Sequence, residues 1–544
     1  FMVAAAHPLA ARVGRDILAQ GGSAVDAAIA VQAMLSLVEP QSSGLGGGAF
    51  MLYHEAETGT VTAYDGRETA PAAATPDLFL NPDGTPMAFW DAVIGGRGVG
   101  VPGVLRMLEK AHATHGEMAW ANLFAPTIKR ARGGFRVTPR LHKLIANDEN
   151  LRKDPVARDY FYTETEAPLP VGHRLRNPAL AATLDRVAEE GADALYTGTI
   201  ARDIVAKVGG HAANPGRLRV ADLEDYAAKA RAPLCRPYRG HEVCGMPPPT
   251  SGGATTLQIL GILSAFDMPK TRPLSAQAVH RLAEASRLAF ADRNRYLADS
   301  DFVDVPLARL LDRDYLHARA ALIAPDASLG TAEPGLPDEN RHAAMPDQPS
   351  GLSTSHFAIV DRAGNAVSMT TSIEQAFGSH LMVRGFMLNN QLTDFSFRPE
   401  VAGRPVANRV QPGKRPRSSM APTLVRSPDG TFRLAIGSPG GSRIIGFVAQ
   451  RLVAHLDWGL DVQQAIDLPN AVNRNGPTEL EDHPAMRALA PELRRRGHEV
   501  EIGPMTSGLH GIARRPDGRL AGGADPRREG RVFGPKANRA SGTE

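Results

Sequence analysis

The amino-acid sequence predicts an α+β fold in which helices are layered on a sheet. Residues 7–22 and 23–40 both carry apolar residues at helical spacing, and the second segment is apolar almost all round, which indicates a buried helix. Residues 41–54 lead through a glycine loop into a strand, and residues 59–71 form a second strand across a turn. A buried helix pair beside a strand pair is typical of helices packed on a sheet.

The ends of the first two helices follow from capping residues. Residues 7–22 finish in a glycine pair, which commonly ends a helix in the left-handed conformation. Ser23 and Asp26 are spaced as a capping box at the start of the second helix, and Pro40 stops that helix.

The middle of the chain, from about residue 100 to 320, is predicted to be mainly helical. Helical spacing recurs in residues 101–116, 180–196 and 276–299. Residues 241–263 interrupt this pattern with a strand that passes through a Pro/Gly turn into another helix.

A connection without periodicity separates two unequal pieces of the chain. Residues 324–352 are rich in Pro, Gly, Asp and Ala, and a structureless segment of this length inside a compact protein is usually functional or disordered. Strand patterns resume at residues 354–361 and 366–373, and residues 431–456 run from a strand through a glycine turn into a helix. We therefore expect two pieces of the chain, joined by a loop that does not have to stay intact.

The composition argues against several classes of function. The chain has 544 residues, of which 43% are hydrophobic and 22% charged, as in an ordinary soluble globular protein. The formal net charge of +3 comes without any run of like charges, so nucleic acid and membrane surfaces are not predicted partners. No apolar run approaches the roughly 20 residues of a membrane span, and the 17 histidines show no metal-binding spacing.

The cysteines and the first residues say little about the cellular compartment. Cys235 and Cys244 are too few for a disulfide framework or a thiolate cage, and they flank a plausible strand and turn. Two half-buried thiols are the favoured interpretation, with a bridge as the alternative. Residues 1–10 lack the basic start and long apolar core of a secretory signal, which is also compatible with a leader removed earlier.

Thr354 stands where the aperiodic connection meets a strand. A hydroxyl is a poor nucleophile without a base, but a chain cut just before a threonine frees an α-amine that activates the hydroxyl of the same residue. This chemistry requires a small residue upstream, a connection that can leave and a rigid strand, and the sequences of residues 349–353 and 354–361 are expected to provide them. On this local pattern alone, an ordinary hairpin is the favoured alternative.

Four further features are suggestive only in combination. The glycines of residues 436–446 can form an oxyanion or phosphate pocket, although the spacing matches neither common nucleotide-binding motif, and a tight turn explains them equally. Ser418 and Ser419 can hold a carboxylate, Asp394 can pair with an ammonium group, and Arg67 is a natural partner of a carboxylate. Together these residue types predict a site for a zwitterion beside a nucleophile.

With these residues and the motifs around them, the chain resembles the γ-glutamyltranspeptidases, which are N-terminal nucleophile hydrolases. The resemblance covers nearly the whole chain, and its motifs occur in family order. They are GGSAVDAAIAVQAMLSLVEPQSSGLGGGAF, GRETAPAAAT, MPPPTSGG, TSHFAIVD, LNNQLTDFS, RPRSSMAPT, GSPGGSRII and GADPRREG.

The resemblance implies a four-layer αββα sandwich and a precursor that cuts itself between Ser353 and Thr354. The products are a large subunit, residues 1–353, which ends in the flexible segment 324–353, and a small subunit, residues 354–544. Both subunits share one intertwined fold. Thr354 attacks the γ-amide of glutathione or a similar donor, and water, an amino acid or a peptide then accepts the γ-glutamyl group.

The resemblance also assigns the remaining roles, without a metal or an organic cofactor. The oxyanion N–H groups are those of Gly440 and Gly441, and Ser372 assists the amine of the nucleophile where the family usually has Thr. The donor α-carboxylate is bound by Arg67, Ser418 and Ser419, and its α-amine by Gln391, Asp394 and Glu374.

Two departures from the family pattern bear on specificity. Arg417 replaces an apolar residue just before the serine pair and adds a cation near the carboxylate site. The stretch from Asp394 to Ser418 is shorter than in members with an aromatic lid and contains no Tyr or Trp. We therefore expect a more open pocket.

Two kinds of alternative function remain, one within this family and one from another class. Relatives of the same architecture act on glutaryl-cephalosporins, poly-γ-glutamate or other small amides, although Asp394 and Glu374 favour a substrate with an α-amine. A non-catalytic binding paralogue is the alternative from another class. The family suggests a periplasmic or secreted protein.

Overall fold

The structure of the protein, a computed structural model, describes residues 1–336, 342–346 and 353–535. The α-helices in these ranges are α1 (Pro8–Ala19), α2 (Ala24–Val38), α3 (Phe89–Val93), α4 (Val104–His115), α5 (Trp120–Gly133), α6 (Pro139–Asn147), α7 (Pro155–Phe161), α8 (Pro178–Glu190), α9 (Asp193–Tyr196), α10 (Gly198–Gly209), α11 (Val220–Glu224), α12 (Gly252–Leu263), α13 (Ala276–Tyr296), α14 (Leu307–Leu310), α15 (Arg313–Ala320), α16 (Ile444–Leu456), α17 (Val462–Asp467) and α18 (Pro484–Arg495).

The β-strands in the same ranges are β1 (Met2–Ala5), β2 (Gly48–His54), β3 (Val61–Gly66), β4 (Phe135–Arg136), β5 (Arg174–Leu175), β6 (Lys229–Arg231), β7 (Leu234–Tyr238), β8 (His241–Gly245), β9 (Ser355–Val360), β10 (Ala366–Ser372), β11 (Met382–Val383), β12 (Phe386–Met387), β13 (Glu400–Val401), β14 (Arg404–Pro405), β15 (Thr423–Arg426), β16 (Phe432–Gly437), β17 (Ala471–Asn473), β18 (Thr478–Glu481), β19 (Val500–Gly503), β20 (His510–Arg514), β21 (Leu520–Ala524) and β22 (Arg531–Phe533).

Two large sheets lie face to face. The first has the strand order β22-β1-β9-β10-β2-β3-β6, and the second has the order β21-β20-β16-β15-β8-β7. Side chains of β9 alternate between two hydrophobic clusters: Phe357 packs towards the outer helices, and Ala358 packs between the sheets. A strand buried on both faces in this way belongs to the centre of the molecule.

A helical layer covers the outer face of each sheet. Helices α1, α2 and α4 pack on the first sheet, and α12, α16 and α17 pack on the second. The predicted capping box of α2 is present, because the Ser23 hydroxyl accepts from the Asp26 N–H and the Asp26 carboxylate accepts from the Ser23 N–H. The predicted α+β fold, a four-layer αββα sandwich, is confirmed.

The first sheet mixes strands from both sides of the Ser353–Thr354 bond. Strand β9 pairs with β1 on one side and with β10 on the other, and β10 in turn pairs with β2. Strands from the two sides of this bond are therefore interleaved: β1 lies between β22 and β9, and the pair β9–β10 lies between β1 and β2.

The favoured prediction of two separate thiols is wrong, because Cys235 and Cys244 form a disulfide bond. Strands β7 and β8 pair antiparallel, and their register places these two residues directly opposite each other. The sequence pattern showed a strand and a turn here but did not determine the register.

The connection before Thr354 carries no helix or strand in residues 324–336, as its composition predicts. It is nevertheless anchored: the Leu329 N–H donates to Glu284, the Ala332 N–H to Asn475, and the Gly335 N–H to Asp292. Residues 337–341 and 347–352 of the predicted flexible segment lie outside the described residues. No helix in the described part of the chain is long and apolar enough to cross a bilayer.

Candidate active site

Thr354 lies directly before β9, where the neighbouring strand β10 ends. Because Ser355 pairs with Thr371 across the two strands, the next residue of β10, Ser372, comes close to Thr354. The two hydroxyl oxygens are 2.9 Å apart, and the Glu374 N–H donates to the Ser372 hydroxyl at 2.9 Å. Ser372 is therefore placed to exchange a proton with the hydroxyl of Thr354.

Both sides of the Ser353–Thr354 bond are held in place. The Ser353 hydroxyl donates to the Gln41 carbonyl at 2.5 Å, and the Arg528 guanidinium donates to the Thr354 carbonyl at 2.9 Å. Thr354 has a φ of 156°, a value that L-residues rarely adopt. The backbone at the predicted cut is fixed and strained, as is common at reactive positions.

A pocket at Thr354 collects most of the predicted site residues, and we call it the acyl pocket. Its lining consists of Ser353, Thr354, Ser372, Glu374, Gln391, Asp394, Arg417, Ser418, Ser419, Met420, Gly441, Ser442 and Ile444. Groups from residues far apart in the chain thus converge on one hydroxyl. Gly440 and Arg67 were also predicted, and both lie next to lining residues without lining the pocket themselves.

One wall of the acyl pocket offers acceptors for an ammonium group. Gln391 and Asp394 lie on a short 3₁₀ turn, Gln391–Asp394, and Glu374 faces them from the end of β10. The Gln391 Oε1 atom is buried and has no hydrogen-bond partner among the described residues. A buried acceptor without a partner is costly, so this oxygen is suited to a donor supplied by a ligand.

Ser418 and Ser419 form a second wall, which we call the carboxylate wall because it offers donors for a carboxylate. The Met420 N–H donates to the Ser418 oxygen at 3.1 Å, and Arg293 Nη2 donates to the Ser419 oxygen at 2.7 Å. Each hydroxyl therefore accepts one bond and keeps its own proton for a ligand. Sequence reasoning missed Arg293, which lies on α13 and is almost fully buried.

Arg67 lies behind Asp394. Its guanidinium donates to the Asp394 carboxylate and to the Pro416 carbonyl at 3.1 Å, and it is fully buried. The neighbouring Glu68 is also fully buried, and this burial raises the pKa of Glu68 to about 8. The Arg67 guanidinium thus lies between the Glu68 carboxylate, 3.5 Å away, and the Asp394 carboxylate, so it positions Asp394 from behind the pocket.

The glycine turn before α16 meets the acyl pocket at Gly441. Gly440 has a φ of 135° and Gly441 a φ of 58°, and both values favour glycine. A Cβ atom on Gly440 would also lie 2.7 Å from the Phe447 ring. The turn leads through Gly441–Arg443 into the N-terminus of α16, where backbone N–H groups favour negative charge.

Arg417 lines the acyl pocket, and its guanidinium is held by backbone carbonyl groups. Its guanidinium donates to the carbonyl oxygens of Arg293 and Leu297 at the end of α13, and to that of Met345. Arginine at a helix C-terminus satisfies exposed carbonyl groups in this way.

The shortened stretch from residue 394 to 418 forms the small β13–β14 hairpin, whose Pro405 carbonyl accepts from the Ala343 N–H. A more open pocket in the processed enzyme stays a prediction.

The whole chain is similar to known proteins of one family. The profile of the family described as gamma-glutamyltranspeptidase matches residues 10–534. The chain is 37% identical over 547 residues to the glutathione hydrolase proenzyme of Bacillus subtilis strain 168, covering 98% of this chain and 91% of that protein. It is 36% identical over 539 residues to the acylase ACY 1 proenzyme of Pseudomonas sp. strain SE83, covering 97% and 92%. The solved structure of cephalosporin acylase from Bacillus halodurans is similar with a TM-score of 0.85 at 29% identity, covering 98% of this chain and 95% of that one.

Proposed function

This chain belongs to the gamma-glutamyltranspeptidase family and is an enzyme of that family; from that premise we propose that it is a self-processing γ-glutamyl hydrolase and transferase. Its donors are glutathione and related γ-glutamyl amides, and its acceptors are water, amino acids or peptides. Both curated relatives are named proenzymes, which fits two subunits cut from one precursor.

The observation that carries the proposal is the meeting of Thr354 with two carboxylates in one pocket. Glu374 and Asp394 line the acyl pocket together with the amide oxygen of Gln391, which has no hydrogen-bond partner among the described residues. These groups suit an α-ammonium group, which a γ-glutamyl donor has and a glutaryl donor lacks. A glutaryl group would leave the buried Gln391 oxygen without that donor, which is unfavourable.

Maturation uses the same hydroxyl as catalysis. Thr354 Oγ1 attacks the carbonyl carbon of Ser353, the C–N bond to Thr354 breaks, and an ester links the two residues. Water hydrolyses that ester, which leaves the carboxylate of Ser353 and the free α-amine of Thr354. Ser372 is close enough to assist this amine.

Catalysis then follows as acyl transfer. The free α-amine takes the proton of Thr354 Oγ1 as the oxygen attacks the γ-carbonyl carbon of the donor, and the glycine turn stabilises the oxyanion. The amine returns the proton to the leaving nitrogen, and a γ-glutamyl ester remains on Thr354. Water or an acceptor amine attacks this ester and releases glutamate or a new γ-glutamyl amide.

Two measurements test the proposal. Denaturing electrophoresis with N-terminal sequencing should show a small fragment that begins at Thr354. The processed enzyme should then turn over γ-glutamyl-4-nitroanilide at least tenfold faster, in kcat/KM, than glutaryl-4-nitroanilide. A preference for the glutaryl donor would instead favour an acylase of the same fold, and an uncut, inactive chain would favour the binding paralogue.

We also propose that the protein works in an oxidising compartment, such as the periplasm or the cell exterior. The Cys235–Cys244 disulfide supports this, because such bonds persist in those environments and are rare in a reducing cytosol. Fractionation of the native host, followed by thiol labelling of both cysteines, would test it.

A further inference from the structure

A second cavity adjoins the acyl pocket, and we call it the leaving-group cavity. It has a volume of about 260 Å³ and shares Ser442 with the acyl pocket, one residue beyond the glycine turn. Arg293, which holds Ser419 on the carboxylate wall, also lines it. A molecule bound across both spaces would therefore have its reacting bond near Thr354.

The leaving-group cavity carries an excess of positive charge. Among the described residues that line it, Glu479 is the acid, and its carboxylate accepts from Arg474 Nε at 2.9 Å and from Arg443 Nε at 2.7 Å. Two arginines around one carboxylate leave a net positive charge. Arg293 adds another cation to the lining.

Arg474 is the arginine that is best placed to meet a ligand. Its Nη1 atom donates to the Ser442 hydroxyl at 2.7 Å, and its side chain is 35% exposed, whereas Glu479 is 9% exposed. Nε and Nη2 face Glu479, which leaves N–H groups of the five-donor guanidinium for a further acceptor. An arginine fixed on one edge and open on another is suited to a carboxylate.

We propose that the leaving-group cavity binds the carboxylate of the amine that leaves the γ-glutamyl group or accepts it, and that Arg474 contacts this carboxylate. The inference rests on the proposed function. Leaving and accepting amines occupy the same place, because acyl transfer to an amine is the reverse of acylation by an amide. The favoured substrates are therefore γ-glutamyl amides of amino acids or peptides with a free carboxylate, rather than of uncharged amines.

A purely structural role of Arg474 gives a different expectation. Through Ser442, Arg474 can also stabilise the glycine turn, and its loss would then slow every donor equally. The two roles are distinguished by what we call the carboxylate ratio. It is kcat/KM for a donor with a carboxylate on its leaving group, divided by kcat/KM for the same donor without that carboxylate. A general defect cancels in this ratio.

The experiment compares 3-carboxy-4-nitroanilides with plain 4-nitroanilides on the processed enzyme, once with a γ-glutamyl and once with a glutaryl acyl group. The Arg474→Gln substitution should lower the carboxylate ratio about tenfold, and Arg474→Lys should lower it less, because it keeps the charge. Arg487→Gln is the matched control, since Arg487 is exposed on α18 and pairs with Asp482. That control should leave the ratio within twofold of the unmodified value.

The unmodified enzyme gives an independent measurement that needs no variant. Raising the salt concentration from about 0.05 to 0.5 M should lower the carboxylate ratio, because a partly exposed ion pair is screened. A carboxylate ratio that changes neither with salt nor with the Arg474→Gln substitution would overturn the inference. A preference for glutaryl over γ-glutamyl donors would overturn the proposed function instead, while the ratio measured on glutaryl donors would still test the cavity.

Discussion

The two sides of Thr354 are built in different ways. In the acyl pocket and directly behind it, Arg67, Gln391 and Ser418 are exposed by no more than 3%. In the leaving-group cavity, the Arg474 side chain is 35% exposed, and Arg443, which pairs with Glu479 of that cavity, is 24% exposed. Because a buried charge or polar group without its partner costs far more than an exposed one, we expect strict selection of the acyl group and tolerant selection of the amine.

The largest loss of activity should follow removal of the Thr354 hydroxyl, on which both sides of the site act. Thr354→Ala removes the nucleophile, so the chain should stay uncut and lose γ-glutamyl hydrolysis by at least about 10⁴-fold. Denaturing electrophoresis and a 4-nitroanilide assay would measure the two losses. Thr354→Ser is the control, since it keeps a hydroxyl and should retain both functions in part. Hydrolysis by the alanine variant would place the nucleophile elsewhere.

Asp394→Asn tests the buried side of the comparison. The substitution removes the charge proposed to meet the donor ammonium group and leaves the fully buried Arg67 with Glu68 as its acidic neighbour. We expect kcat/KM for γ-glutamyl-4-nitroanilide to fall by about 10²–10³-fold, because a ligand charge and a buried arginine both lose a carboxylate partner. The slow turnover of the glutaryl analogue should fall much less. Equal losses on both donors would indicate a structural role.

Arg293→Gln sharpens the comparison because Arg293 lies between the two spaces. Its Nε atom donates to Ser251 and its Nη2 atom to Ser419, both at 2.7 Å, so it is a positioning residue for the carboxylate wall. We expect KM for γ-glutamyl-4-nitroanilide to rise about tenfold while kcat changes less.

Arg293→Lys is the informative companion. It keeps the charge but cannot bond in both directions, so it should restore little of the lost affinity. A fall in kcat with an unchanged KM, in either variant, would contradict positioning of the substrate carboxylate.

The smallest effect at neutral pH concerns a residue away from both spaces. His510 is fully buried on β20, and this burial lowers the pKa of His510 to about 4. The unfolded chain binds this proton below its ordinary pKa of 6.5, whereas the folded protein does not. The free energy of unfolding should therefore fall as pH falls from 6.5 to 4, by up to about 1.4 kcal/mol per pH unit for this group.

His510→Gln should reduce that slope by close to one proton in urea unfolding measured at several pH values. Activity at pH 7 should change little by comparison. An unchanged slope would mean that other groups, such as the similarly shifted His7, account for the acid sensitivity.

Local signals in the sequence predicted the elements that carry the nucleophile. The strand patterns of residues 354–361 and 366–373 correspond to β9 and β10 in the structure. The predicted capping box of Ser23 and Asp26 lies at the start of α2. These patterns act over a few residues, so one sequence is enough to read them. The grouping of the site residues came from the resemblance, and the structure brings them together, while their individual roles stay predictions.

Residues that depend on tertiary packing were not predictable. Arg293, Arg474 and Arg528 have no local signature, because an arginine in a helix or loop usually faces solvent. Each gains its role from a partner far away in the chain, as when Arg528 reaches the Thr354 carbonyl. The disulfide was missed for a related reason, since only the strand register reveals that Cys235 faces Cys244.

The strand order of the first sheet determines what the proposed cut between Ser353 and Thr354 would do to stability. Strands β9 and β10, which follow this bond, lie between β1 and β2, which precede it, and β22 pairs with the other edge of β1. Separating the fragments would therefore break hydrogen bonds along three strand boundaries of this sheet. The cut enzyme should melt in one transition, because neither fragment retains this sheet alone. Refolding should then be a second-order reaction that slows on dilution, so a single covalent cut makes loss of the native state effectively irreversible in a dilute environment.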